Sequence, residues 1–200
     1  MAVEAGLLDK SPIKGKWVLP RLDPVERHPL TLAEMNDLRA IFHDMPIVQW
    51  IALTGQRPSD ARALEFRQVN LDTRTVDRGS KKSRDIRKFE ISSKAAAVVA
   101  QEARREHDGS DIVFVSSRGT AWSADGLLNS FKARLRDVKY KRDLNLRDLR
   151  HSFASIMANE IGIPVTELRI LMGHTDIKTT MKYVHARGAR EWLDVMDKRL

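Results

Sequence analysis

Three short segments near the end of the chain decide how it is read: Leu149-Arg150-His151-Ser152-Phe153, Leu171-Met172-Gly173-His174 and Thr179-Thr180-Met181-Lys182-Tyr183-Val184-His185. Tyr183 follows His174 by nine residues. An arginine, a histidine and a tyrosine at such intervals are the groups needed to hold a phosphate and attack it with a phenol. A second arginine lies far upstream, in Thr54-Gly55-Gln56-Arg57-Pro58-Ser59-Asp60. Each residue alone is unremarkable. The chain carries 35 lysines and arginines, so single arginines fall anywhere by chance, and a tyrosine on an apolar helix face more often packs than reacts. Order and spacing together give the set its weight.

Working outward, the 200 residues suit one sizeable domain with an appended arm. Hydrophobic content of 42% is that of an ordinary globular protein. Cysteine is absent, which excludes disulfides and thiolate metal sites. No run approaches the roughly 18 apolar residues of a membrane span, and Met1 to Lys10 lacks the pattern of a secretory signal. The expected location is the cytoplasm, with no membrane partner. A net charge of +8 favours a polyanion, of which nucleic acid is the commonest.

The punctuation of the chain predicts its elements. Residues 1–29, interrupted by Pro12, Pro20 and Pro24, read as a connecting arm. Thr31 is a predicted N-cap with Glu34 as its capping-box partner, ahead of Leu32, Met35, Leu38, Ile41 and Phe42 at helical spacing. Ile47 to Leu53 reads as a buried helix ending at Gly55. Pro58 opens the next, which Ala61, Leu64 and Phe66 continue. Val69 to Val76 suggests short strands around an Asp72-Thr73 turn. Arg74–Asp77 and Arg87–Ile91 read as hairpin arms joined by a basic loop from Arg78 to Asp85. Ser92 or Ser93 caps a helix running to Glu106, and Ser123 caps another running to about Tyr140. Further helices are expected over Leu146–Glu160, Val165–Met172, Ile177–Tyr183 and Ala189–Leu200, so the fold class is α+β, mainly α.

The set of residues resembles the catalytic domain of the tyrosine recombinase, or phage integrase, family over about Pro29 to His185. The resemblance implies a helical catalytic domain with a small antiparallel three-stranded sheet. It also implies a DNA strand transferase, a site-specific recombinase that cleaves and rejoins double-stranded DNA through a 3′-phosphotyrosyl link, with no metal, no ATP and no other cofactor. Arg57 and Arg150 match the family's two arginines, whose planar forks fit two phosphate oxygens. Asp60 is placed to steady Arg57. Tyr183 matches the nucleophile, and nearby guanidinium charge is expected to favour its phenolate. His174 is expected to donate a hydrogen bond to the phosphate or to Tyr183. His151 matches a box residue that usually packs. The family's general acid is a hairpin-loop lysine five residues before a basic residue, which counts back from Arg87 to Lys82, with Lys81 the alternative. Lys81 and Arg84 are expected to touch DNA.

One position departs from the pattern. The residue three before the second arginine is usually histidine and sometimes lysine, but here it is Arg147. Arginine cannot take a proton as a base, so the Tyr183 proton is expected to leave to water or to the phosphate while Arg147 supplies charge. Two alternatives stay open, an inactive DNA-binding module and a DNA-relaxing enzyme like the type IB topoisomerases. The family also carries an N-terminal core-binding domain that residues 1–29 are too short to supply. The expectation is therefore a remnant arm at 1–29 and a catalytic domain at 30–200, with a tail helix at about 187–200. Other protomers are implied partners, as a tetramer on two recombining sites, with a monomer in isolation the alternative.

Overall fold

Helix α2 (Pro46–Thr54) is apolar around nearly its whole circumference, and the other elements gather about it. Ile47, Val48, Trp50, Ile51 and Ala52 are all buried. A helix with no polar face belongs inside a molecule. The computed structural model describes residues 28–77, 88–105 and 111–184, with Gly6 and Asp9. Helices α1 (Leu32–Ile41), α3 (Pro58–Arg62), α4 (Ser93–Glu102) and α6 (Leu146–Ser155) pack near or against α2. The core between them includes the stacked pair Phe42 and Phe131, with centroids 4.8 Å apart, and Trp50 against Phe114 at 5.7 Å.

Local chemistry sets most boundaries. Thr31 and Glu34 form the expected capping box, with both reciprocal bonds present. Pro46 opens α2, and Gly55 closes it in the left-handed region, φ 62°. Ser92 caps α4 and Ser123 caps α5 (Ala124–Asp137). Strands β1 (Val69–Asn70), β2 (Thr75–Asp77) and β3 (Lys88–Glu90) form an antiparallel sheet in that order. Its register pairs Val69 with Val76 and Val76 with Phe89, so the apolar side chains of the two inner pairs fall on one face.

Several boundaries differ from expectation. Helix α3 stops at Arg62 and does not run on through Leu64 and Phe66. The amide of Val113 donates to Leu64 O at 2.8 Å and that of Phe66 to Asp111 O at 2.9 Å, so pairing with the 111–115 segment overrides the helical spacing. Helix α4 ends at Glu102, short of Glu106. Helix α5 ends at Asp137 because Lys139 turns left-handed at φ 51° and the Tyr140 amide closes back onto Leu135 O. The helix expected to run to Glu160 is regular only to Ser155; Ile156–Ile161 is wound as a π-helix, closed by left-handed Gly162. Helix α7 (Val165–Met172) matches its expected span. Helix α8 (Ile177–Met181) ends before Tyr183, which sits in the following turn. The hairpin loop with Lys81, Lys82 and Arg84, the tail at 187–200 and nearly all of the 1–29 arm lie outside the described residues.

Candidate active site

The site begins at the end of α2. The Gly55 turn is fixed by the Gln56 amide donating to Thr54 Oγ1 at 3.3 Å and by the Trp50 indole donating to Gln56 Oε1 at 2.5 Å. It delivers Arg57 to the residue before α3, where the side chain is about half exposed and lies 3.6 Å from Asp60. An ion pair so exposed contributes little to stability, so its effect is orientation.

Helix α6 supplies the opposite wall. Asn145 accepts from the amides of Arg147 and Asp148, and Asp148 answers with the Asn145 amide, which starts the helix at Leu146. Arg147, Arg150 and His151 are spaced i, i+3 and i+4, and therefore share one face. Arg150 is only 8% exposed. A buried guanidinium needs partners for its donors. Arg150 gives Nη1 to Gly55 O at 2.6 Å, and Nη2 to Met172 O and His174 Nε2, both at 2.9 Å. It thereby ties the ends of α2 and α7 to α6.

Helix α7 ends at Gly173, φ 63°, and the His174 amide returns to Arg169 O at 3.0 Å. The His174 ring is buried between Arg150 and Thr180, whose Oγ1 lies 2.9 Å from Nδ1. An arginine only donates, so Nε2 of His174 accepts and its Nδ1 carries the proton that goes to Thr180. Of the two bonds expected of His174, to the phosphate or to Tyr183, the one to Tyr183 is not made. The two rings stack instead, 6.3 Å apart and 11° from parallel.

The segment after α8 is tied down at both backbone ends of Tyr183. Its amide donates to Thr180 O at 3.0 Å, and its carbonyl accepts from Asn159 Nδ2 at 2.9 Å. The ring packs on a small second core of Ala154, Leu168 and Met172. Its hydroxyl lies 2.8 Å from His151 Nδ1. His151 is thus an exposed residue in contact with the phenol, not the packing residue that was expected. Burial pushes the Tyr183 hydroxyl above its ordinary pKa of 10.0, and the charges of Arg150 and Arg57 pull it down without overcoming that effect. The expected bias toward phenolate is therefore reversed at rest, because desolvation outweighs the two arginines.

Arg57, Arg62, Arg147, Arg150 and His151 line one open cleft of about 430 Å³, with Pro58, Ser59, Ala124, Leu127 and Leu146 completing its walls. Arg57 and Arg150, 93 residues apart in the chain, meet here. No carboxylate lines the cleft among the described residues. Sequence reading missed Arg62, Thr180 and Asn159. Thr180 stood inside a quoted box, three residues before Tyr183, as a signal that went unused. Asn159 had none, because it reaches Tyr183 from the π-helical turn. Among the described residues no cluster of three or more His, Asp or Glu side chains could hold a metal ion, and no helix is long and apolar enough to cross a membrane.

Known proteins resemble this chain in sequence and in fold. The phage integrase family model matches residues 30–190. Tyrosine recombinase XerD of Lacticaseibacillus casei is 31% identical over 148 residues, covering 71% of this chain and 50% of the relative. Tyrosine recombinase XerC of Bacillus subtilis is 26% identical over 163 residues, covering 77% and 53%. The chain thus spans about half the length of the relatives it matches. Among solved structures, the XerA recombinase superposes with a TM-score of 0.70 at 18% identity, covering 92% of this chain and 68% of the other. The Tn1549 transposon integrase, solved with a circular intermediate DNA, superposes at 0.75 and 18% identity, covering 98% and 74%. At such identity the likeness speaks for the fold alone. With the family model spanning most of its length, the chain belongs to the phage integrase family.

Proposed function

We propose that this chain is the DNA-cleaving part of a site-specific recombinase. In this reading residues 30–200 are the catalytic domain and residues 1–29 the arm leading into it. The duplex backbone enters the arginine-lined cleft. Arg57 and Arg150 hold the non-bridging oxygens of one phosphate, and Arg147 adds charge beside them. The Tyr183 oxygen attacks phosphorus, the bond to the 5′ oxygen breaks, and a 3′-phosphotyrosyl link stores the bond for rejoining. Lys82, with Lys81 the alternative, protonates the departing 5′ oxygen. His174 supports the arginine it touches. No metal or nucleotide enters this scheme. Binding to double-stranded DNA, assembly into a tetramer on two sites and a cytoplasmic location belong to the same proposal.

The observation that carries it is the meeting of Arg57, Arg147 and Arg150 in one cleft whose edge residue, His151, touches the Tyr183 hydroxyl. The test uses a library of nicked duplexes with a randomised core. Incubation should yield a protein–DNA adduct that survives detergent and maps by peptide mass to Tyr183. Tyr183→Phe should yield none. DNA binding with no adduct from any library member would instead establish an inactive binding module. Plasmid relaxation without strand exchange would establish the topoisomerase-like alternative.

A further inference from the structure

The strand-transfer reading leaves one proton unassigned. Tyr183 must shed its hydroxyl proton as its oxygen bonds to phosphorus, and the arginines around it cannot accept one. His174 cannot accept it either in the arrangement seen. Its Nε2 lone pair is taken by the Arg150 guanidinium, and its Nδ1 faces Thr180. No carboxylate lines the cleft among the described residues. Burial moreover keeps the phenol in its protonated form at neutral pH.

His151 meets every requirement that these groups fail. Its Nδ1 is 2.8 Å from the Tyr183 hydroxyl, within the reach a general base needs. Its ring is exposed at the cleft, so a proton it takes can exchange with solvent. An imidazole changes charge close to neutral pH. Position is secured as well, because His151 rides on α6 one residue after the anchored Arg150, while Asn159 holds the Tyr183 backbone. We propose that His151 is the general base of the cleavage step. The Tyr183 proton passes to Nδ1 as the tyrosine oxygen bonds to phosphorus and the 5′ oxygen leaves with a proton from the acid. On rejoining, the protonated imidazole returns that proton to the tyrosine oxygen as the 3′-phosphotyrosyl bond breaks. The neutral tautomer this requires has its proton on Nε2 and turns the Nδ1 lone pair to the Tyr183 hydroxyl.

This assignment rests on the strand-transfer reading, and the experiment separates the two. Single-turnover adduct formation is followed on a duplex recovered from the nicked library, for the wild-type chain, His151→Ala and His151→Gln, from pH 5 to 9. Wild-type cleavage should rise with pH through the imidazole range and then level off. Both variants should cleave on the order of 100-fold more slowly and lose that rise. Glutamine should not rescue, since it can bond the phenol but cannot take its proton, whereas added imidazole should partly restore the alanine variant. Cleavage by His151→Gln at the wild-type rate overturns the assignment while leaving strand transfer intact. No adduct from the wild type overturns both. Nitrogen-15 NMR of the folded wild type gives a check that needs no variant: a proton resident on Nδ1 of neutral His151 would make it a donor to Tyr183 and would end the proposal.

The surrounding charges frame that pH profile. Arg147 and Arg150 face His151 from its own helix, Arg57 and Arg62 from the α3 side of the cleft, and Tyr183 from the segment after α8. The arginines keep their charge throughout, and burial holds the Tyr183 hydroxyl protonated over the range of the experiment. His174, the other imidazole of the site, is retained in both variants, so a rise near neutrality that disappears with them belongs to His151.

Discussion

Gly55 links a backbone preference to the arginine-lined cleft. Its φ of 62° suits glycine, and a Cβ built there would lie 2.4 Å from Cδ1 of Phe153. Its carbonyl also accepts from Arg150. Gly55→Ala must strain the turn or displace Phe153 from α6, and either shift moves the carbonyl away from the guanidinium. The expected cost is about 2 kcal/mol in urea unfolding. Adduct formation should fall further than the lost stability explains when both proteins are compared fully folded. A variant that loses stability but cleaves at the wild-type rate would show that Arg150 does not depend on this carbonyl. The residue types Arg57, Arg150, His174 and Tyr183 were legible as a set because their spacing is unusual. The state of the phenol was not, because a sequence displays charges but not the desolvation that here outweighs them.

At the scale of elements, caps were the readable part. Thr31 and Glu34 announced the start of α1, and both reciprocal bonds are present. Thr31→Ala should cost about 1 kcal/mol, measured by thermal or urea unfolding. The Glu34 carboxyl is held below its ordinary 4.5, first by the Thr31 backbone amide and then by Arg142. A depressed carboxylate contributes stability that is present above the unfolded value and lost as pH falls through the folded one. Glu34→Gln should therefore flatten part of the decline in the urea midpoint below about pH 4.5. A decline identical to that of the wild type would place the acid sensitivity elsewhere, with Asp44, which Arg134 holds low, the next group to test. Element ends without caps were less readable. Leu64 and Phe66 sit at helical spacing yet leave the helix, because their backbone pairs with residues 111–113. The π-helical turn at Ile156–Ile161 keeps an apolar pattern close to that of an α-helix, so periodicity could not reveal that Asn159 would point at Tyr183.

For the whole molecule, the net charge of +8 and the arginine-lined cleft predict salt-sensitive binding to duplex DNA. The logarithm of the affinity for an arbitrary duplex should fall linearly with the logarithm of salt concentration, as counterions are released. Arg57→Ala should make that slope shallower by about 0.9 if its guanidinium meets one phosphate. An unchanged slope, read by fluorescence anisotropy over a salt series, would remove Arg57 from the DNA contact. By itself the sequence determined the family-like order of boxes, the helix caps, the hairpin arms and the basic balance, since each depends on neighbours within a few residues or on composition alone. Only the tertiary structure decided that Arg57 meets Arg150, that Arg150 occupies His174, and that His151 is left to face the phenol. Those relations join segments 24 to 93 residues apart, and such distances close only when a buried helix like α2 has gathered its neighbours into one core.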